Sequence, residues 1–306
     1  MPNTTNQPTD RFVSAPDGLK LHYAEYGSAL DPGAPVVCLP GLTRSAEDFA
    51  ALARALSFGG RKRRRVLALD YRGRGLSEWD RNWENYNVGV ENADILSLLD
   101  AAEIHHAVVI GTSRGGLIVF VLAAMRPSLL KAVVLNDIGP VVEGAGLAQI
   151  RAYLERAPKP ATFSEAIAIQ RSAQQGIFTS LSDADWERSV RAFYRDEGGR
   201  PVPDFDPALL NTLKGVNLSQ ALPEFWPQFL GLSAVPVLAI RGENSKLLSA
   251  DTLAQMKARH PDLQTITVAG QGHAPFLETA GLPGKIETFL NRKAGDGSSS
   301  SPKRAA

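Results

Sequence analysis

The sequence predicts an α/β fold: a mostly parallel sheet flanked by helices and interrupted by a helical insertion. Three observations predict it. Short apolar runs recur along the chain, stretches with apolar residues at helical spacing separate most of them, and one interval from about 139 to 232 lacks a buried-strand pattern. Continuous apolar runs of this kind are typical of strands buried on both faces. Their alternation with helices implies parallel strands with helices on each side.

The elements follow in order. Residues 11–15 and 20–26 flank Pro16-Asp17-Gly18 and read as an antiparallel hairpin. Buried strands are expected at 36–39, 66–69, 107–110, 132–135, 235–240 and 265–268, with helices at 46–56, 88–102 and 117–125 between the earlier ones. This gives a core over 11–139 and 233–292. The insertion, 140–232, is expected to form a helical cap over the end of the sheet, with helices at 147–155, 164–174, 183–194 and 207–213. Eight aromatics gather there: Phe178, Trp186, Phe193, Tyr194, Phe205, Phe225, Trp226 and Phe229. Most are expected to pack the insertion's own core, and a few to line a pocket beneath it. The polar residues 1–10 and the low-complexity segment 293–306 are expected to be disordered.

Composition narrows the function classes. The 306 residues are 44% hydrophobic and carry a net charge of +1, so no global field draws in nucleic acid or an anionic membrane. The basic run Arg61-Lys62-Arg63-Arg64-Arg65 precedes an expected strand and reads as a solvated turn. The one cysteine, Cys38, lies in an apolar run and is expected to be a buried hydrophobe. There is no run of roughly 18 apolar residues and no basic, apolar leader at the N-terminus, so a cytoplasmic address is expected.

The strongest chemical signal is Gly111-Thr112-Ser113-Arg114-Gly115 at a strand–helix junction. A Gly-x-Ser-x-Gly turn holds its serine on a strained corner that lifts Oγ above the sheet. Side chains two positions before and after the serine would meet neighbouring backbone, which is why glycine fills both places. The N–H of Arg114 opens the next helix, where an oxyanion would be stabilised.

Four further segments carry a family resemblance: Leu39-Pro40-Gly41-Leu42, Asp70-Tyr71-Arg72-Gly73-Arg74-Gly75-Leu76-Ser77, Arg241-Gly242-Glu243-Asn244-Ser245 and Gly270-Gln271-Gly272-His273. With the serine elbow, they make the chain resemble the α/β-hydrolase superfamily, and within it the capped esterase and enol-lactonase-like serine hydrolases, over roughly 11–292. The resemblance implies Ser113 as nucleophile, His273 as general base, and the N–H groups of Leu42 and Arg114 as the oxyanion hole. The loop has Pro40-Gly41 where relatives often have His-Gly, a change that leaves a backbone donor available. Asp70 is expected to anchor the Gly-rich turn. The other histidines fit the base less well. His22 lies in the first hairpin, His105 and His106 precede the serine strand, and His260 ends a helix where a cation suits the dipole.

The acid departs from the family pattern. Relatives tend to carry aspartate directly after the equivalent of Ser245, and this chain has Lys246. An ammonium about 4 Å from an imidazolium repels it by roughly 4 kcal/mol at an effective dielectric of about 20. Three readings stay open: the acid has moved to Asp137, Glu243 reaches in from the same loop, or there is no acid and the protein is a slow or inactive relative. The expectation is a hydrolase of a small ester or lactone that works through an acyl-enzyme. The alternative is a weak or non-catalytic relative that binds a small ligand. No metal cluster or dinucleotide Gly-x-Gly-x-x-Gly motif is present, and the chemistry requires no cofactor.

Overall fold

The computed structural model describes residues 6–156, 159–217, 220 and 222–294. The chain opens with β1 (Thr9–Ser14) and β2 (Lys20–Tyr26), paired antiparallel about the Gly18 turn. Then come β3 (Gly33–Leu39), α1 (Ala50–Arg54), β4 (Arg64–Asp70), α2 (Val88–Ala101), β5 (Ala107–Thr112), α3 (Arg114–Met125) and β6 (Leu130–Asn136). The insertion follows, with α4 (Gly144–Glu155), α5 (Phe163–Ala173), α6 (Asp183–Phe193), β7 (Tyr194–Glu197), β8 (Arg200–Pro203), α7 (Asn211–Lys214) and α8 (Trp226–Leu230). The core resumes with β9 (Val237–Gly242), α9 (Ala250–Arg259), β10 (Leu263–Val268) and α10 (Leu282–Lys293).

Eight strands form one sheet in the order β1-β2-β4-β3-β5-β6-β9-β10, parallel from β4 onward. Period-2 alternation splits its side chains between two apolar cores. Val37, Leu67, Val109, Val133 and Val237 pack with α2 and α3 on one face. Their neighbours Cys38, Ala68, Ile110, Val134 and Leu238 pack with α1 and α10 on the other. Cys38 is fully buried there, and burial raises its thiol pKa strongly.

Several expectations are corrected. Residues 9 and 10, expected to be loose, belong to β1: Asp10 pairs with Ala24, and its carboxylate lies 3.1 Å from His22 Nε2. Lys293 ends α10, whose face Ile286, Phe289 and Leu290 is buried. Ala294, just after α10, is also buried, residues 6–8 lead into β1, and the remaining tail positions, 1–5 and 295–306, lie outside the described residues. Arg64 and Arg65 are not a solvated turn, because they open β4. Arg64 is fully buried and donates to the Ala34 carbonyl at 3.1 Å, and Arg65 Nε donates to Glu25 at 2.6 Å. His260 does stand at the C-terminal end of α9, but it is buried and lies 2.9 Å from the Leu232 carbonyl, and desolvation lowers its pKa, which opposes a cation there.

The insertion has its own small core of Leu154, Ala166, Val190, Phe193, Tyr194 and Phe205. It is not wholly helical: β7 and β8 form a hairpin through Gly198 and Gly199, both at positive φ. Phe225 and Phe229 leave the insertion's core and pack against Phe120 of α3 at 6.5 and 6.3 Å between ring centroids.

Candidate active site

β5 delivers Ser113 at a sharp corner with φ 52° and ψ −113°, and α3 starts at the next residue. The flanking glycines are sterically required. A Cβ on Gly115 would sit 2.1 Å from the Leu39 carbonyl oxygen, and one on Gly111 would sit 2.6 Å from the Gly115 carbonyl carbon. Both neighbours are backbone and cannot swing aside. Gly115→Ala is therefore expected to cost at least about 2 kcal/mol of stability in a urea titration. A loss below half of that would mean that the strand–helix junction yields easily.

His273, in the loop after β10, joins the serine to a carboxylate. Its Nε2 lies 2.9 Å from Ser113 Oγ, and its Nδ1 lies 2.8 Å from Asp137 Oδ2. A carboxylate only accepts, so Nδ1 carries the hydrogen and Nε2 is left to accept from the serine hydroxyl. Asp137 follows β6, has φ 55°, and is fully buried. Its charge is well satisfied: Oδ1 accepts from the Gly242 N–H at 2.8 Å, and Oδ2 accepts from Ser245 Oγ at 2.5 Å. Ser245 in turn accepts from the N–H groups of Leu247 and Leu248 at 3.1 and 3.2 Å. The last residue of β9 and one residue of the β9–α9 loop thus hold a carboxylate that follows another strand. Nothing in a single sequence marks Ser245 for that task.

The other candidate residues lie elsewhere. Glu243 is exposed, and its carboxylate accepts from the Gly270 N–H at 2.8 Å, so it holds a turn and does not reach His273. Lys246 lines the cavity with an exposed side chain, while Nδ1 of the imidazole is taken by Asp137. Lys246→Asp is therefore expected to leave kcat within about threefold of wild type, since an exposed charge adds little beside a buried, hydrogen-bonded one. A tenfold gain in ester hydrolysis would show that position 246 still governs the imidazole. Leu42 lies on the loop after β3, where a Cβ on Gly41 would be 3.9 Å from the Ser113 Cβ. Arg114 is the first residue of α3, so its N–H has no intrahelical acceptor. Asp70 anchors the Gly-rich turn, accepting from the N–H groups of Ala46 at 2.6 Å and Leu76 at 3.0 Å.

Ser113 and His273 open onto a cavity of about 470 Å³ between the sheet and the insertion. Phe178, Trp186 and Phe193 line it from the insertion, and Arg44 and Phe276 from the core. Phe178 and Phe276 pack with ring centroids 5.4 Å apart. Among the described residues, no group of three or more His, Cys, Asp or Glu side chains is arranged to hold a metal ion. No described helix is long and apolar enough to cross a membrane.

Comparison with known proteins places a chain with this sheet, elbow and loop order in a family. The profile of the alpha/beta hydrolase fold matches residues 34–280, and the chain belongs to that family. It is 31% identical to the 3-hydroxybutyrate-oligomer hydrolase of Cupriavidus necator, over 87% of this chain and 92% of that protein. It is 29% identical to the 2-(acetamidomethylene)succinate hydrolase of Mesorhizobium japonicum, over 87% of this chain and 90% of the relative. A crystal structure of an alpha/beta hydrolase from Novosphingobium aromaticivorans superposes with a TM-score of 0.85 at 34% identity, covering 94% of this chain and 99% of that one. Hydrolysis is the reaction class that these relatives support.

Proposed function

We propose that the protein is a serine hydrolase of small carboxylic esters or lactones, with Ser113 as nucleophile, His273 as general base and Asp137 as the acid of the triad. The observation that carries this reading is the continuous hydrogen-bonded line from Ser113 Oγ through His273 to a buried, fully satisfied Asp137. In the acylation step, Nε2 takes the hydroxyl proton as Oγ attacks the ester carbonyl. The oxyanion is held by the N–H groups of Leu42 and Arg114. The imidazolium, stabilised by Asp137, then protonates the departing alkoxide. Water activated by the same nitrogen attacks the acyl-serine and releases the carboxylic acid. No cofactor takes part in these steps.

The cavity supports a small substrate with an apolar portion, because three aromatic side chains reach into it from the insertion, which acts as a cap over the nucleophile. Two relatives are named for 3-hydroxybutyrate oligomers and for 2-(acetamidomethylene)succinate, both of which bear carboxylate groups. Arg44 and Lys246 on the cavity wall are compatible with such a substrate. The proposed setting is the cytoplasm, in keeping with a single buried thiol.

A fluorophosphonate probe tests the reading. The folded wild type is expected to be labelled at Ser113 and to hydrolyse p-nitrophenyl butyrate. A folded wild type that neither takes the label nor cleaves the ester would favour a ligand-binding protein without catalysis.

A further inference from the structure

The Gly-rich turn after β4 has a feature that anchoring alone does not account for: two of its side chains grip the loop that carries the first oxyanion donor. The Tyr71 hydroxyl donates to the Pro40 carbonyl at 3.2 Å, and Arg74 Nε donates to the Leu42 carbonyl at 2.8 Å. These carbonyls belong to the peptide units on either side of the Gly41–Leu42 amide. A peptide unit is rigid, so fixing the one before and the one after removes the torsional freedom by which the Leu42 N–H could turn away.

Arg74 is itself held. It is fully buried, donates through Nη1 to the Arg72 carbonyl at 2.6 Å, and forms an ion pair with Glu91 Oε1 at 2.8 Å. Its guanidinium lies over Tyr71 and Tyr86, at 5.4 and 5.6 Å from the ring centroids. Glu91, on α2, is also fully buried, and its second oxygen receives Arg114 Nε at 2.6 Å. Arg114 Nη2 donates onward to the Tyr86 carbonyl at 3.0 Å. Arg114 is the residue whose backbone N–H is the second oxyanion donor. One carboxylate thus joins the side chain of one donor residue to the arginine that holds the peptide of the other.

We propose that Arg74 and Glu91 are positioning residues that fix the two oxyanion-hole N–H groups, Leu42 and Arg114, at a set separation before substrate arrives. This rests on the serine-hydrolase reading for its catalytic meaning, and on the contacts alone for its mechanical one. Preorganisation of this kind acts on the transition state, because the donors are aimed at the oxyanion and need no reorganisation when charge develops. Arg74 reaches the Leu42 and Arg72 carbonyls through two nitrogens of one planar guanidinium, a fork that lysine cannot reproduce, and meets Glu91 Oε1 as an ion pair.

The test uses Arg74→Met, which leaves Glu91 and Arg114 as a neutral pair, and Arg74→Lys, which keeps the charge and loses the planar fork. Loss of a whole oxyanion donor costs about 10²–10³ in rate, and here the donor is loosened and not removed. For Arg74→Met, kcat on p-nitrophenyl butyrate is therefore expected to fall by at least about tenfold with KM nearly unchanged. The affinity for 1-butaneboronic acid, which forms a tetrahedral adduct on the serine, is expected to fall by a similar factor. A purely structural role would lower the active fraction or the melting temperature without separating the boronate from the substrate. Arg74→Lys gives the same pattern at smaller amplitude and carries the test should Arg74→Met not fold. Folded variants that keep kcat and boronate affinity within twofold of wild type overturn the proposal. If the wild type is inert towards esters, the functional reading falls separately, and amide hydrogen exchange reads the clamp: faster exchange at Leu42 in the variants supports it, and unchanged exchange overturns it.

Discussion

Alanine in place of Ser113 is expected to abolish fluorophosphonate labelling and to lower kcat on p-nitrophenyl butyrate by about 10⁶, the loss seen when a serine hydrolase is deprived of its nucleophile. The expected magnitude follows from how the side chain is used. Ser113 Oγ makes no helix-capping bond, and its one side-chain partner among the described residues is His273 Nε2. Its removal should therefore leave stability within about 1 kcal/mol of wild type, so the lost activity can be assigned to chemistry. Activity should not fall to that of water alone, because the cavity and the oxyanion donors still bind and polarise the ester. A folded Ser113→Ala that retains even a tenth of wild-type activity would assign the reaction to another group, and the elbow would then be a structural corner only.

The residues differ in how much of their role could be read from the sequence, and the reason is range. The parallel strands from β3 to β9 were legible because each holds a continuous apolar run, and burial on both faces needs no partner to be recognised, whereas the edge strand β10 alternates half-buried and exposed positions through its middle. The serine corner was legible because its demands are local: a strand, two glycines without room for Cβ, and a helix, all within ten residues. The hairpin from Tyr194 to Pro203 was not, because Tyr-Arg-Asp-Glu-Gly-Gly-Arg-Pro-Val-Pro carries four charged residues and two prolines and lacks apolar alternation, leaving only Gly198-Gly199 as a turn signal. The basic run misled for a related reason. Arg64 sits in a buried slot between the Ala34 carbonyl and Asn291, and Asn291 is more than two hundred residues away in the chain. The acid was the hardest case. Asp137 and Glu243 both follow strands, and only the register of β6 against β9 decides which carboxylate faces the imidazole. That register puts the Asp137 N–H on the Ile240 carbonyl at 2.7 Å and turns the side chain toward Gly242, Ser245 and His273.

Asp137→Asn carries the second large expected effect, a fall in kcat of about 10⁴ with KM little changed, as for the equivalent change in well-studied serine proteases. The carboxylate performs two tasks, and asparagine fails at both. It accepts from Nδ1–H and so leaves Nε2 unprotonated toward the serine, whereas an amide can present its NH₂ group to Nδ1 and stabilise the opposite tautomer. It also supplies the negative charge that stabilises the imidazolium formed as Ser113 loses its proton. Full burial makes that charge effective, since no solvent screens it, and the donors from Gly242 and Ser245 make it tolerable to bury. Those donors predict a cost to the fold as well. Asparagine has one oxygen for the Gly242 and Ser245 donors, so one of them goes unpaired, at about 1–3 kcal/mol. A melting curve recorded beside the kinetics separates the two losses, because kcat is then referred to the folded fraction. Glu243→Gln, in which the Gly270 N–H can still find an oxygen, is the matching control and should leave kcat unchanged. If Asp137→Asn stays within tenfold of wild type while Glu243→Gln loses activity, the carboxylate that serves His273 during turnover is Glu243, and the loop after β9 must rearrange to bring it there.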